Sequence, residues 1–154
     1  MALVKVKQLV NAPVSRVWES WDNYADIYRF NPNLKKSYLI GDSADTGRGA
    51  TRQCDFADGK NYVRERLIEY VPGKKLVVDI YDGTVPLKSA TATITLSPIG
   101  SEKTEVTMAM EFVPKMGLLG RLLVPLMKIK FGNALRGLLA GNAAYVERGV
   151  EIVR

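Results

Sequence analysis

Two residues of opposite charge, Arg52 and Glu65, fall where an apolar sheet face is expected. Residues 49–56 and 61–70 both read as strands, and Ala57-Asp58-Gly59-Lys60 between them holds the Asp-Gly pair that favours a two-residue hairpin turn. That turn sets residue 57 opposite residue 60, and so Arg52 opposite Glu65 and Cys54 opposite Val63. Side chains alternate along a strand, so Ala50, Arg52, Cys54 and Phe56 share a face with Val63, Glu65 and Leu67. Thr51, Gln53, Asp55, Tyr62, Arg64 and Arg66 make the opposite, solvent-suited face. An Arg and a Glu on the apolar side are costly unless paired. Together they read as a polar patch inside a cavity that holds water or a polar ligand head. A register slip of one residue, or a wet sheet end, would account for the same pattern.

The chemistry open to such a pair is limited. Arg52 can supply positive charge to a carbonyl or enolate, with Glu65 held as its counter-ion. The chain has no His, which removes the commonest general base, the usual catalytic triad and the commonest zinc ligand. Its one cysteine, Cys54, has no His or helix N-terminus within evident reach, and reads as a small buried hydrophobe. Asp55, Asp79 and Asp82 fall on outer faces or strand ends. No catalytic residue, metal site or cofactor is assigned on this basis.

The elements that position the pair follow from periodicity. Residues 2–10 alternate as a strand, and Asn11-Ala-Pro13 opens a helix whose Val14, Val17, Trp18 and Trp21 share one face, with Pro13 in its first turn. Tyr24–Phe30 reads as a second short helix, stopped by Asn31-Pro32-Asn33. Strands follow at 34–40, 49–56, 61–70, 76–81, 89–96 and 105–113, with a turn at Asp82-Gly83. From Met116 the period turns helical, with a kink expected at Pro125. Six consecutive strands on short turns imply an antiparallel sheet, and the amphipathic helix after them must bury its stripe against it. Phe56, Leu67, Val78, Ile80, Ile94, Met108, Met110 and Phe112 then face inward from the strands, and Met127, Phe131 and Leu135 from the helix. An ordinary packed core explains each of them singly. Interleaved with Ala50, Ala90, Ala92, Gly132, Gly137 and Gly141, the methionines argue instead for incomplete filling, and hence a small-molecule pocket.

With 154 residues, 47% apolar and 25% charged, the chain fits one globular domain spanning residues 1–154. The net charge of +6 is scattered, without the aromatic interleaving of a single-strand binder, so nucleic acid is not expected as a partner. The N-terminus lacks a signal peptide's apolar stretch, and a cytoplasmic location is the default expectation. Residues 118–130 are strongly apolar and basic. They would suit a transient contact with an anionic bilayer, although packing of half the segment on the sheet accounts for the pattern too.

Taken in order, Asn11-Ala-Pro13-x-x-x-Val17-Trp18, Pro32, Gly49-Ala-Thr-Arg52, the Asp58-Gly59 turn and Arg64-Glu65-Arg66-Leu67 resemble the START-like, helix-grip superfamily. The similarity is greatest to the branch of polyketide cyclases, dehydrases and lipid-transport proteins (SRPBCC). The resemblance implies an α+β fold: a curved seven-stranded antiparallel sheet wrapped around a long C-terminal helix, with two short helices between strands 1 and 2. It also implies a cavity between sheet and helix, with the positions of Arg52 and Glu65 pointing into it. Asn31 departs from the aromatic that many members carry there. The function expected is the binding, transport or sensing of a small hydrophobic or amphipathic ligand. The alternative is a cyclase- or dehydratase-like enzyme using the same cavity. Entry is expected between the helix at 24–30 and the Gly117–Pro125 approach to the long helix, with the turn Asp82-Gly83-Thr84 as a further loose piece.

Overall fold

The structure, a computed structural model, describes residues 1–153. The chain runs β1 (Ala2–Val10), α1 (Val14–Asp22), a 3-10 helix (Tyr24–Arg29), β2 (Leu34–Leu39), β3 (Thr51–Phe56), β4 (Tyr62–Val71), β5 (Lys75–Gly83), β6 (Leu87–Ile99), β7 (Lys103–Pro114), α2 (Gly117–Leu122) and α3 (Val124–Arg148). The strands form one seven-stranded sheet in the order β1-β7-β6-β5-β4-β3-β2. Every neighbouring pair is antiparallel. This is the helix-grip arrangement that the element order implies.

The β3–β4 register is the one that the Asp58-Gly59 turn dictates, with Arg52 opposite Glu65 and Cys54 opposite Val63. Asp58 reinforces the turn, its Oδ1 accepting from the backbone N–H of Lys60 at 2.8 Å and of Asn61 at 2.9 Å. Strict alternation fails between β4 and β5, where the register shifts at Arg64/Glu65 and again at Leu67/Glu69. On β5, Leu76, Val77 and Val78 are all buried. Each irregularity bends and twists its strand, which is what a sheet needs in order to curl around a helix. β5 continues to Gly83, so the chain reverses over residues 84–86 rather than at Asp82-Gly83.

The helices depart from expectation at their starts. Pro13 caps α1 from outside, its carbonyl accepting from the N–H groups of Arg16 and Val17 at 3.1 and 3.2 Å. The stretch from Met116 is two helices, broken at Leu123, with Pro125 in the first turn of α3 where no N–H is needed. α3 ends at Gly149 in the left-handed region (φ 67°), whose N–H returns to the Tyr145 carbonyl at 2.9 Å. Its second half carries the stripe that enters the core: Leu135, Leu138, Leu139, Asn142, Ala143 and Val146.

Gly141 lies on the same stretch of helix. A Cβ there would sit 2.0 Å from the Phe30 carbonyl oxygen, so only glycine lets the backbone after the 3-10 helix lie directly on α3. Phe30 is locked in turn between Trp21 and Tyr145, with ring centroids 5.3 and 5.4 Å away. Gly141→Ala is expected to cost about 1–3 kcal/mol, as overpacking of a close backbone contact does. Chemical denaturation would show it as a lower midpoint at unchanged slope.

Candidate functional site

β3 and β4 bring Arg52 and Glu65 together on the concave side of the sheet. Arg52 is 5% exposed and the Glu65 side chain 12%. An Arg52 terminal nitrogen donates to Glu65 Oε2 at 3.2 Å, and the other donates to the Tyr24 carbonyl at 2.8 Å. The guanidinium also stacks 3.9 Å from the centre of the Tyr24 ring. The Cys54 thiol donates to Glu65 Oε1 at 3.0 Å, so both carboxylate oxygens are engaged. The 3-10 helix thus supplies a carbonyl and a ring face to a charge borne by the sheet.

These surroundings set the charge states. Burial works most strongly against the Arg52 cation, but Glu65, Tyr24 and Cys54 together outweigh it and hold the guanidinium protonated. Burial, and then the Glu65 charge, push the Cys54 thiol far above its usual range, which keeps it neutral and unreactive. Burial likewise raises the Tyr24 phenol, with Arg52 partly offsetting it.

The pair faces a cavity of about 150 Å3 between the sheet and α3. Ten of the expected residues line it: Arg52, Phe56, Glu65, Val78, Ile80, Ile94, Met108, Met110, Phe131 and Leu135. Four do not. Cys54 lies beneath Glu65 and is occupied by it. Leu67 is 1% exposed and belongs to the solid core beyond the pair. Phe112 closes edge-on against Phe131, with centroids 5.0 Å apart, so Phe131 presents its ring to the cavity and Phe112 stands behind. Met127 packs half-buried against the core from the start of α3 and does not reach the cavity.

Part of the remaining lining comes from places where periodicity carries little information. Trp21, Ile27, Asn31, Asn33 and Leu34 close the helical side; Val85 and Leu87 come from the hairpin turn and the strand start beyond it. Val63, Ala92, Ala134 and Leu138 complete it. Val63 could have been found, since it shares the inward face with Glu65. Arg52 Nε and Trp21 Nε1 are buried and have no hydrogen-bond acceptor among the described residues. Both residues line the cavity, and unpaired buried donors are rare in folded proteins.

A second hollow, of about 440 Å3, adjoins the first. The two share Asn33, Phe56, Val85, Phe131 and Ala134. Its rim is made by Asp58 and Asn61 of one hairpin, Thr84 and Pro86 of the next, and Lys130 of α3. This rim forms a mouth beside the cavity, and it includes Thr84 of the turn expected to be loose. The 3-10 helix does not frame it, because Tyr24, Ile27 and Phe30 are buried. The chain beyond that helix is tied down as well. Asn31 Oδ1 accepts from the Asn33 N–H at 3.0 Å, and Asn33 Nδ2 donates to the Ala134 carbonyl at 2.9 Å.

The fold has known counterparts. The chain belongs to the polyketide cyclase / dehydrase and lipid transport family, whose model matches residues 1–147. Among solved structures it is similar to a START superfamily protein from Mycobacterium smegmatis, at 14% identity and a TM-score of 0.79 over 96% of this chain and 99% of that one. The Zhui aromatase/cyclase from Streptomyces superimposes with a TM-score of 0.75 at 14% identity, over 98% and 99% of the two chains. Norcoclaurine synthase from Thalictrum flavum gives 0.73 at 16% identity, over 96% and 94%. At these identities the likeness is one of fold. No curated protein matches the chain by sequence.

Proposed function

We propose that the protein binds a small amphipathic molecule, seating its polar, acceptor-bearing end against Arg52 and its apolar part in the mouth. The observation that carries this reading is a buried Arg52–Glu65 pair facing an otherwise apolar cavity that opens to the surface. A solid core would favour apolar residues at both positions. The unpaired N–H groups of Arg52 and Trp21 support an acceptor on the occupant. Size narrows the class further. A cavity of about 150 Å3 has room for a benzene-sized group, so a larger occupant must extend into the 440 Å3 hollow.

A second reading places a cyclase- or dehydratase-like reaction in the same cavity. It is favoured by the Arg52 guanidinium, which would stabilise an enolate oxygen brought against it. Enzymes share the fold, the Zhui aromatase/cyclase and norcoclaurine synthase among them. Binding without chemistry is preferred, because Glu65 is engaged at both oxygens and the chain contains no His.

Native mass spectrometry of the purified protein is expected to show a retained small molecule, or binding of an added short-chain aryl carboxylate at one-to-one stoichiometry. Failure of every acceptor-bearing amphiphile tried, across a panel of ring and chain sizes, would overturn the binding reading. Chemical conversion of a bound cyclisable ketone would promote the second.

A further inference from the structure

We infer that α2 and the first half of α3 form a docking surface for an anionic lipid bilayer. Met116, Leu118, Leu119, Leu122, Leu126 and Ile129 are all more than half exposed, with Leu118 at 74% and Leu122 at 71%. Gly120 is the only buried residue between 116 and 131; Val124, Met127 and Phe131 pack half-buried on the core, and the leucines of this arm are left exposed. Contiguous exposed leucines on a folded surface mark a contact that the isolated chain leaves unmade.

The composition of the arm selects the occupant. Residues 116–131 contain no acidic side chain and no Ser, Thr, Asn, Gln or Tyr; their only polar side chains are those of Arg121, Lys128 and Lys130. The acid-free stretch is longer still, running from 112 to 146 and holding Lys115, Arg121, Lys128, Lys130 and Arg136. A protein interface carries on the order of ten hydrogen bonds from its polar rim, and the only polar side chains this surface offers are those of Arg121, Lys128 and Lys130. A second copy would set like charges against one another. A bilayer accepts leucines into its acyl boundary and takes lysines and arginines, on long stems, among anionic headgroups. No helix of the described residues is long and apolar enough to cross a membrane, so the contact lies on the surface. Lys130 and Phe131, which follow Ile129 on α3, also line the mouth, so docking would turn the mouth toward the headgroups. The inference does not depend on what the cavity holds.

Co-sedimentation of the full chain with sucrose-loaded vesicles tests it. Binding is expected to phosphatidylcholine vesicles with about 30% phosphatidylglycerol, and to weaken at least tenfold for phosphatidylcholine alone or when salt rises from about 50 to about 500 mM. Leu118→Asp with Leu122→Asp, and separately Lys128→Glu with Lys130→Glu, should each lose at least tenfold while keeping the parent's thermal midpoint, because these side chains are exposed. Equal sedimentation of the parent and the aspartate variant, or none with phosphatidylglycerol, would overturn the inference. So would a dimer in analytical ultracentrifugation that the aspartate pair dissociates, without vesicle binding by either form; the arm would then be a contact between copies.

Discussion

Arg52→Met, with Glu65 left in place, is expected to lower folding stability by about 3–5 kcal/mol, the cost of stranding a buried charge. For a domain of this size that is a fall of roughly 6–20 °C in Tm. The variant loses more than its ion pair. Arg52 also satisfies the Tyr24 carbonyl and sits over the Tyr24 ring, so its removal loosens the sheet from the 3-10 helix. Glu65→Gln should cost less, because a neutral amide oxygen can still accept from the guanidinium. The double variant should be more stable than Arg52→Met alone, since no uncompensated carboxylate remains. Thermal melts of the three variants give the coupling directly. Small, additive losses would mean that water reaches the pair freely and that it is no part of an enclosed site.

Ala134→Trp is expected to abolish ligand entry while leaving the fold intact. Ala134 lies at the neck between the inner cavity and the mouth, lining both. It is only partly buried, and its backbone is held by Asn33, so an indole there has room to lie across the neck without disturbing the core. Binding of a fluorescent amphiphile such as anilinonaphthalene sulfonate should weaken at least tenfold, or about 1.4 kcal/mol, as read by titration. The Tm should change by a few degrees at most, roughly the effect of one kcal/mol. Undiminished binding by a folded variant would remove the neck as the route and the inner cavity as the site.

The Arg52–Glu65 pairing is legible in the sequence because one local signal fixes it. Asp58-Gly59 sets the turn, the turn sets the register, and period-two alternation sets the face. The inward stripe of α3 is legible for the same kind of reason, since Leu135 and Leu138 recur at helical spacing. Cys54, Leu67, Phe112 and Met127 show where such reasoning stops: a shared face does not say which part of that face is packed solid. Trp21 is legible on the apolar face of α1 but not as cavity lining, and Asn31 and Asn33 escape notice because the exit loop of a 3-10 helix has no period to read. Their positions are set by tertiary contacts, above all the close approach at Gly141. The arm at 116–130 is ambiguous in sequence, because an apolar helix bound for the core and one bound for another surface look alike. Only the path of the sheet decides between them.

Gly141 and Asn33 between them make the two walls of the mouth mechanically unequal. The segment after Phe30 is seated on α3 backbone to backbone and bonded to Ala134, so that wall is the fixed jaw of a vice. The opposite jaw is the pair of hairpin tips at Asp58–Asn61 and Thr84–Pro86. Those tips are tied to each other by reciprocal bonds, Thr84 N–H to the Tyr62 carbonyl and Tyr62 N–H to Thr84 Oγ1, both at 3.0 Å. They are therefore coupled, and a bulkier occupant of the proposed site would be expected to spread the tips, with the helix staying in place. Choice of occupant by size then resides in two surface turns, which a lineage can lengthen or retune without repacking the core that folds the chain.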